Sequence, residues 1–198
     1  MDQAYYLLHK PFGYLSQFIS NQKTRRKQKF LGELGSFQDG TMAIGRLDQD
    51  SEGLILLTTD GLFSEFIRSK NIEKEYYVQV DGIPTESDLD KLREGVSISD
   101  QGELHPCLPA KVKLLDPQPD FPKRIKPVRD DRHGPSIWIS IIVNEGMFRQ
   151  VRKMTAVIGF PTLRLMRVRV GDFHLNGLKP GESKEITEQE LRDIAYLA

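Results

Sequence analysis

The most restrictive feature of the chain is Leu54-Ile55-Leu56-Leu57, apolar at every position and closed by Thr58. A strand with one face in water alternates apolar and polar side chains, so this run predicts a strand covered on both faces. Such a strand demands packing layers above and below it, and 198 residues suffice to build them. Further strands are predicted at Tyr5–Leu8, Thr41–Ile44, Tyr76–Val80, Lys111–Leu114 and Ile137–Val143. Asp60 should cap a helix with Leu62, Phe63, Phe66 and Ile67 on one side. Thr85 and Asp88 are spaced as a capping box for a helix that turns Leu89, Leu92 and Val96 inward. A third helix is predicted from Met147 to Ile158, ending at Gly159, and Thr187 with Glu190 should cap a fourth. Strands and helices do not alternate regularly, which predicts an α+β fold around a mostly antiparallel or mixed sheet. No linker or repeat divides the chain, so residues 1–198 read as a single catalytic domain.

Two segments fall outside this scheme. Residues 17–29 are polar and basic without periodicity and read as a surface loop. Between Asp116 and Pro135 stand Pro117, Pro119, Pro122 and Pro127, so this stretch is predicted to be a long excursion and no sheet strand.

Composition excludes several classes. No apolar run approaches membrane-spanning length. The first residues show no basic region leading into an apolar stretch, so no secretory leader is expected. The single cysteine, Cys107, cannot form an internal disulfide, which fits a reducing cytoplasm. His9, His105, His133 and His174 lack ligand spacing to one another or to Cys107, so no metal site is expected. No phosphate-cradling glycine loop, dinucleotide fingerprint or serine elbow is present. The formal net charge is zero, but the charges are segregated. Lys23, Arg25, Arg26, Lys27 and Lys29 form one basic run. Arg149, Arg152, Lys153, Arg164, Arg167 and Arg169 form a second, and acids gather near the C-terminus. Phosphate binding depends on local surface charge, so the average leaves a nucleic-acid partner open.

The segment ahead of the apolar strand, Gly45-Arg46-Leu47-Asp48-Gln49-Asp50-Ser51-Glu52-Gly53, concentrates polar atoms between two glycines. Its residues alone admit two readings. One is a polar turn whose acids cap neighbouring amides, with Arg46 as an ion-pair partner. The other is a carboxylate held rigidly beside a buried strand, as a nucleophile or general base requires.

Gly45-Arg46-Leu47-Asp48, with Ser51-Glu52-Gly53-Leu54-Ile55-Leu56-Leu57-Thr58 and Asp60-Gly61, resembles the signature of the RsuA/RluE branch of ribosomal RNA pseudouridine synthases. Three further pieces resemble that family in its own order: Lys10-Pro11-Phe12-Gly13, Lys74-Glu75-Tyr76 with its strand, and Asn144 to Met154 followed by Leu163-Arg164-Leu165 and Arg167. The resemblance runs from residue 5 to about residue 172. It implies that Asp48 is the nucleophile that attacks the target uridine. It implies that Arg152 pairs with that carboxylate, that Tyr76 stacks on the target base and assists proton removal, and that Leu163 lines the uracil pocket. Arg46 is implied to displace the flipped base, in keeping with the general need to extrude a nucleotide before chemistry on it.

The resemblance further implies an isomerisation with no cofactor, carried out on ribosomal RNA by what should be a monomer. The first strand starts at once, with no S4-type RNA-binding domain ahead of it, as in the short members that act on large-subunit (23S) RNA. Affinity should then fall to the catalytic domain, and Lys10, Lys23, Arg25, Arg26, Lys27, Arg149, Lys153 and Arg164 are the expected RNA contacts. Two other classes stay open. A non-catalytic RNA-binding or ribosome-assembly factor could use the same basic runs and Tyr76. A carboxylate-dependent hydrolase would want a second acid facing Asp48, for which Asp50 and Glu52 stand too near in sequence.

Overall fold

The computed structural model describes residues 3–19, 28–69, 72–124, 126–128 and 131–195. The chain divides into two compact units: Met1–Ile72 with Arg167–Ala198, and Glu73–Met166.

The first unit begins with strands β1 (Tyr5–Lys10), β2 (Tyr14–Leu15), β3 (Lys29–Phe30), β4 (Met42–Ile44) and β5 (Glu52–Thr58), then helix α1 (Gly61–Ser69). All seven residues of β5 are buried, as the unbroken apolar run requires. β1 lies antiparallel to β5, with Lys10 opposite Gly53, and β4 also pairs with β5 antiparallel. Asp60 caps α1 by accepting hydrogen bonds from the backbone amides of Leu62 and Phe63 at 2.9 and 3.1 Å. The helix buries Ile67, and Phe63 meets Tyr5 edge-on at 5.3 Å. Leu62, expected to face inward, is 80 % exposed, because it lies in the first turn on the solvent side of that stripe.

The second unit contains β6 (Lys74–Asp81), α2 (Glu86–Glu94), β7 (Ser97–Asp100), β8 (Glu103–Pro106), β9 (Lys111–Leu114), β10 (Ser136–Val143) and α3 (Gln150–Val157). β10 pairs antiparallel with both β6 and β9. Its core gathers Val78 and Val80 from β6, Ile139 and Ile141 from β10, Leu89 and Leu92 from α2, and Met154 from α3. The capping box of α2 is present: Thr85 accepts from the Asp88 amide and Asp88 accepts from the Thr85 amide. The proline-rich excursion carries no strand among its described residues and folds Phe121 against Trp138 at 5.2 Å.

Strand β11 (Thr162–Val170) runs from the second unit into the first, followed there by β12 (Phe173–His174), β13 (Ser183–Ile186) and α4 (Glu188–Ala195). β12 pairs with β11 and β13 with β1, both antiparallel. The protein is thus α+β with a mostly antiparallel sheet. Sequence patterning missed β7, β8, β11 and β13. In β11, Thr-Leu-Arg-Leu-Met-Arg-Val-Arg-Val, cations interrupt the apolar positions and suggest exposure. Arg164 and Arg167 are in fact 5 % and 6 % exposed, so the second basic run is not a continuous surface.

Candidate active site

The loop between β4 and β5 is fastened on both sides of Asp48. The Ser16 hydroxyl donates to the Leu47 carbonyl at 2.7 Å and accepts from the Leu47 amide at 2.9 Å. On the other side, the Gly13 amide donates to the Gln49 carbonyl at 2.8 Å, and the Gln49 side chain returns a bond to the Gly13 carbonyl at 3.1 Å. A turn closes with the Ser51 amide donating to the Asp48 carbonyl at 3.0 Å. Gly13 of the Lys10-Pro11-Phe12-Gly13 turn and Ser16 just after it therefore hold the peptides flanking Asp48. Asp48 itself is half-buried, whereas Ser51 and Glu52 are buried.

Charge reinforces this frame from beneath. Lys10 is completely buried at the end of β1, and its ammonium donates to the carbonyls of Tyr14 at 2.7 Å and Pro11 at 3.2 Å. Burial pulls its pKa down to about 7, while the negative charges of Glu52, Asp50 and Asp48 push it back up and Arg167 lowers it further. Lys10, expected to contact RNA, is instead an internal cation of the loop, because its amide partners lie inside the turn. Arg167 is also internal and donates from Nε to the Leu54 carbonyl at 2.8 Å. At Gly53, with φ +105°, a Cβ would stand 2.2 Å from the Arg167 carbonyl oxygen. Only glycine permits that approach of two backbones. Sequence reading did not single out Ser16, Glu52 or Arg167 as supports, since nothing in a linear pattern marks a polar residue as internal.

The second unit carries the other candidates. Tyr76 is half-buried on β6 opposite Ile141, on the same face as Val78 and Val80, and packs against that unit's core. Tyr77 is on the opposite face with its ring 6.1 Å from Phe121; burial and the Glu75 charge push its phenol up. Arg149 stands at the start of α3 in the left-handed region (φ 53°), which delays the helix to Gln150 where Met147 was expected. Gln150 is buried, accepts from the Met147 amide at 3.0 Å and donates to Glu145, which accepts from the Leu108 amide at 2.9 Å. Arg152 is half-buried as the third residue of α3.

Lys153 is engaged by Asp100 at 2.8 Å and lies 5.3 Å over the Phe148 ring. Leu163 is half-buried on β11. Arg164 lies over the rings of Phe121 and Trp138 and donates to the Pro122 carbonyl at 3.1 Å, so it fastens the proline-rich excursion. Arg46, in the first unit, is exposed. Lys23, Arg25, Arg26 and Lys27 lie outside the described residues. Among the described residues, no group of three or more His, Cys, Asp or Glu could hold a metal ion. Burial pushes the Cys107 thiol up, which suits a passive side chain.

Residues 4–157 match the RNA pseudouridylate synthase family. The chain is 43 % identical over 176 residues to the ribosomal large subunit pseudouridine synthase E of Xanthomonas axonopodis pv. citri, covering 88 % of this chain and 89 % of that protein. It is 45 % identical over 183 residues to the protein of the same name from Vibrio parahaemolyticus, covering 91 % of this chain and 72 % of that one. A solved structure described as a pseudouridylate synthase superposes with a TM-score of 0.77 at 26 % identity, covering 98 % of this chain and 74 % of the other.

Proposed function

Since the chain belongs to the RNA pseudouridylate synthase family, we propose that it isomerises a uridine of large-subunit ribosomal RNA to pseudouridine with Asp48 as nucleophile. The observation that carries the reading is the loop itself. The peptides beside Asp48 are pinned, one to Gly13 of the opening turn and one to the Ser16 hydroxyl, while Asp48 stays half-buried near acids and an internal ammonium. A nucleophile that must meet one carbon of a flipped nucleotide gains from such pre-ordering.

The reaction balances without a donor or an oxidant. Asp48 adds either to C6 of the uracil or to C1′ of the ribose, the bond from N1 to C1′ breaks, and the uracil turns in the site. C5 then bonds to C1′, the carboxylate is released, the proton formerly on C5 leaves to solvent, and N1 takes up a proton in its place. Tyr76 and Arg152 enter the proposal as the base-stacking group and the supplier of positive charge. A guanidinium is suited to that role because it stays charged and presents its donors in a fixed plane. Arg46 is proposed to occupy the space vacated by the flipped base. Ribosomal RNA as substrate is consistent with a cytoplasmic monomer, and among the described residues no helix is long and apolar enough to cross a membrane.

The test measures tritium released from large-subunit ribosomal RNA labelled at uracil C5. Wild type should release it, and Asp48→Asn should be slower by roughly a thousandfold or more. The variant's unfolding free energy should stay within about 0.5 kcal/mol of wild type. Pseudouridine mapping in cells with and without the protein would then locate the modified position. Full activity of Asp48→Asn would end the nucleophile assignment. A silent wild-type protein that still binds the RNA would favour a non-catalytic factor.

A further inference from the structure

Within the first unit, a cavity of about 560 Å3 opens beside β4 and the last turn of α1, lined among others by Phe18, Ile19, Met42, Arg46 and Arg68. Its size is in the roughly 300–1,000 Å3 range typical of ligand sites. Two of its properties bear on what it could bind. Ile19 and Met42 are large apolar side chains left 75 % and 39 % exposed. Arg46 and Arg68 supply two cations, and among the described residues no Asp or Glu lines the space.

Acids are as numerous as cations in this chain, 28 of each. Elsewhere several cations find them: Lys153 pairs with Asp100, Arg93 with Glu86 and Asp90, and Lys111 with Glu73. Arg46 and Arg68 make no ion pair or side-chain hydrogen bond among the described residues. Guanidinium groups beside exposed aliphatic surface match the two halves of a nucleotide, an anionic phosphodiester and a flat base. Arg46 is two residues from Asp48, so at most ~7 Å of backbone separates them. A strand that delivers its uridine to Asp48 therefore carries neighbouring nucleotides past this cavity.

We propose that this cavity receives a nucleotide flanking the target uridine, its phosphate held by Arg68 and its base laid on Met42 and Ile19, while Arg46 fills the place of the flipped base. The inference rests on the reading of Asp48 as the nucleophile for RNA and deepens it: Arg68, which no sequence motif marks, becomes a determinant of substrate choice. A phosphate contact positions the strand, and apolar contact with the base adds a preference for what lies beside the target.

The experiment measures binding and turnover of a full-length large-subunit ribosomal RNA transcript by wild type, Arg68→Gln and, as a control that does not line the cavity, Lys113→Gln. Arg68→Gln should lower kcat/KM by about tenfold and reduce the slope of log affinity against log salt by about 0.7, the value for one phosphate contact on a single strand. The control should keep the wild-type slope. With a benzophenone amino acid replacing Met42, light should cross-link the protein to nucleotides immediately beside the modified uridine. A wild-type salt slope for Arg68→Gln, or cross-links scattered over the transcript, would overturn the proposal. So would a lower melting temperature for Arg68→Gln with unchanged RNA binding, which would mean that the protein's own chain fills the cavity. These failures are separable from failure of the underlying reading, because wild-type tritium release and its loss in Asp48→Asn do not depend on Arg68.

Discussion

The loop around Asp48 and the entrance to α3 carry the two densest groups of candidate residues, and they are held by different means. The first is held by its main chain, which Gly13 backbone and the Ser16 hydroxyl grip at Gln49 and Leu47, while Gly53 lies against Arg167 with no room for a Cβ. Side chains hold the second: Glu145 receives Gln150 and the Leu108 amide, and Asp100 receives Lys153. A loop fixed by main-chain contacts presents one conformation and tolerates little. A helix start fixed by side chains, with a non-glycine residue in the left-handed region, keeps its shape at some cost in strain.

Gly53→Ala probes the first region most severely. It adds a Cβ 2.2 Å from a backbone oxygen at a φ of +105°. Strain and overpacking together should lower the unfolding free energy by about 3–5 kcal/mol. Urea titration would measure it, and a loss below about 1 kcal/mol would mean that the backbone grip is loose.

Lys10→Met comes next and is read as a pH dependence. The lysine's folded pKa of about 7 lies below its ordinary 10.5. Between those values the unfolded chain holds a proton that the folded chain lacks, so stability rises with pH there and the burial penalty is full below about 7. Relative to Lys10→Met, wild type should therefore gain stability across that window, approaching roughly 1.4 kcal/mol per pH unit for one proton. Parallel pH profiles for the two proteins would show that the buried cation does not titrate as described.

The smallest effect is expected at α3. Arg149→Gly removes the strain of φ 53° and should raise the unfolding free energy by about 1 kcal/mol, while RNA affinity falls through loss of the cation. A destabilised variant would show that the Arg149 side chain contributes more than its backbone costs, and would narrow the contrast between the two regions.

Much of the fold was legible. The apolar run of β5, the capping residues Asp60, Thr85 and Thr187, and the proline-rich excursion each express a local rule: burial period, amide satisfaction, or a missing donor. β11 was not legible, because its arginines read as surface while Phe121, Trp138 and backbone carbonyls bury them. Lys10 misled for the same reason. Its charge suggested phosphate, and the carbonyls of its own turn claim it.

By itself the sequence determined where several strands lie, where most helices start and which carboxylate belongs to the family's signature, because periodicity, caps and ordered motifs are carried by neighbours along the chain. Only the tertiary structure decided which charges are internal. The difference between a lysine that meets solvent and one with a pKa near 7 is set by residues such as Tyr14 and Glu52, whose approach no spacing reveals. It also decided that Arg68 stands at one cavity with Arg46, twenty-two positions away in sequence and joined to it by the packing of α1 beside β4.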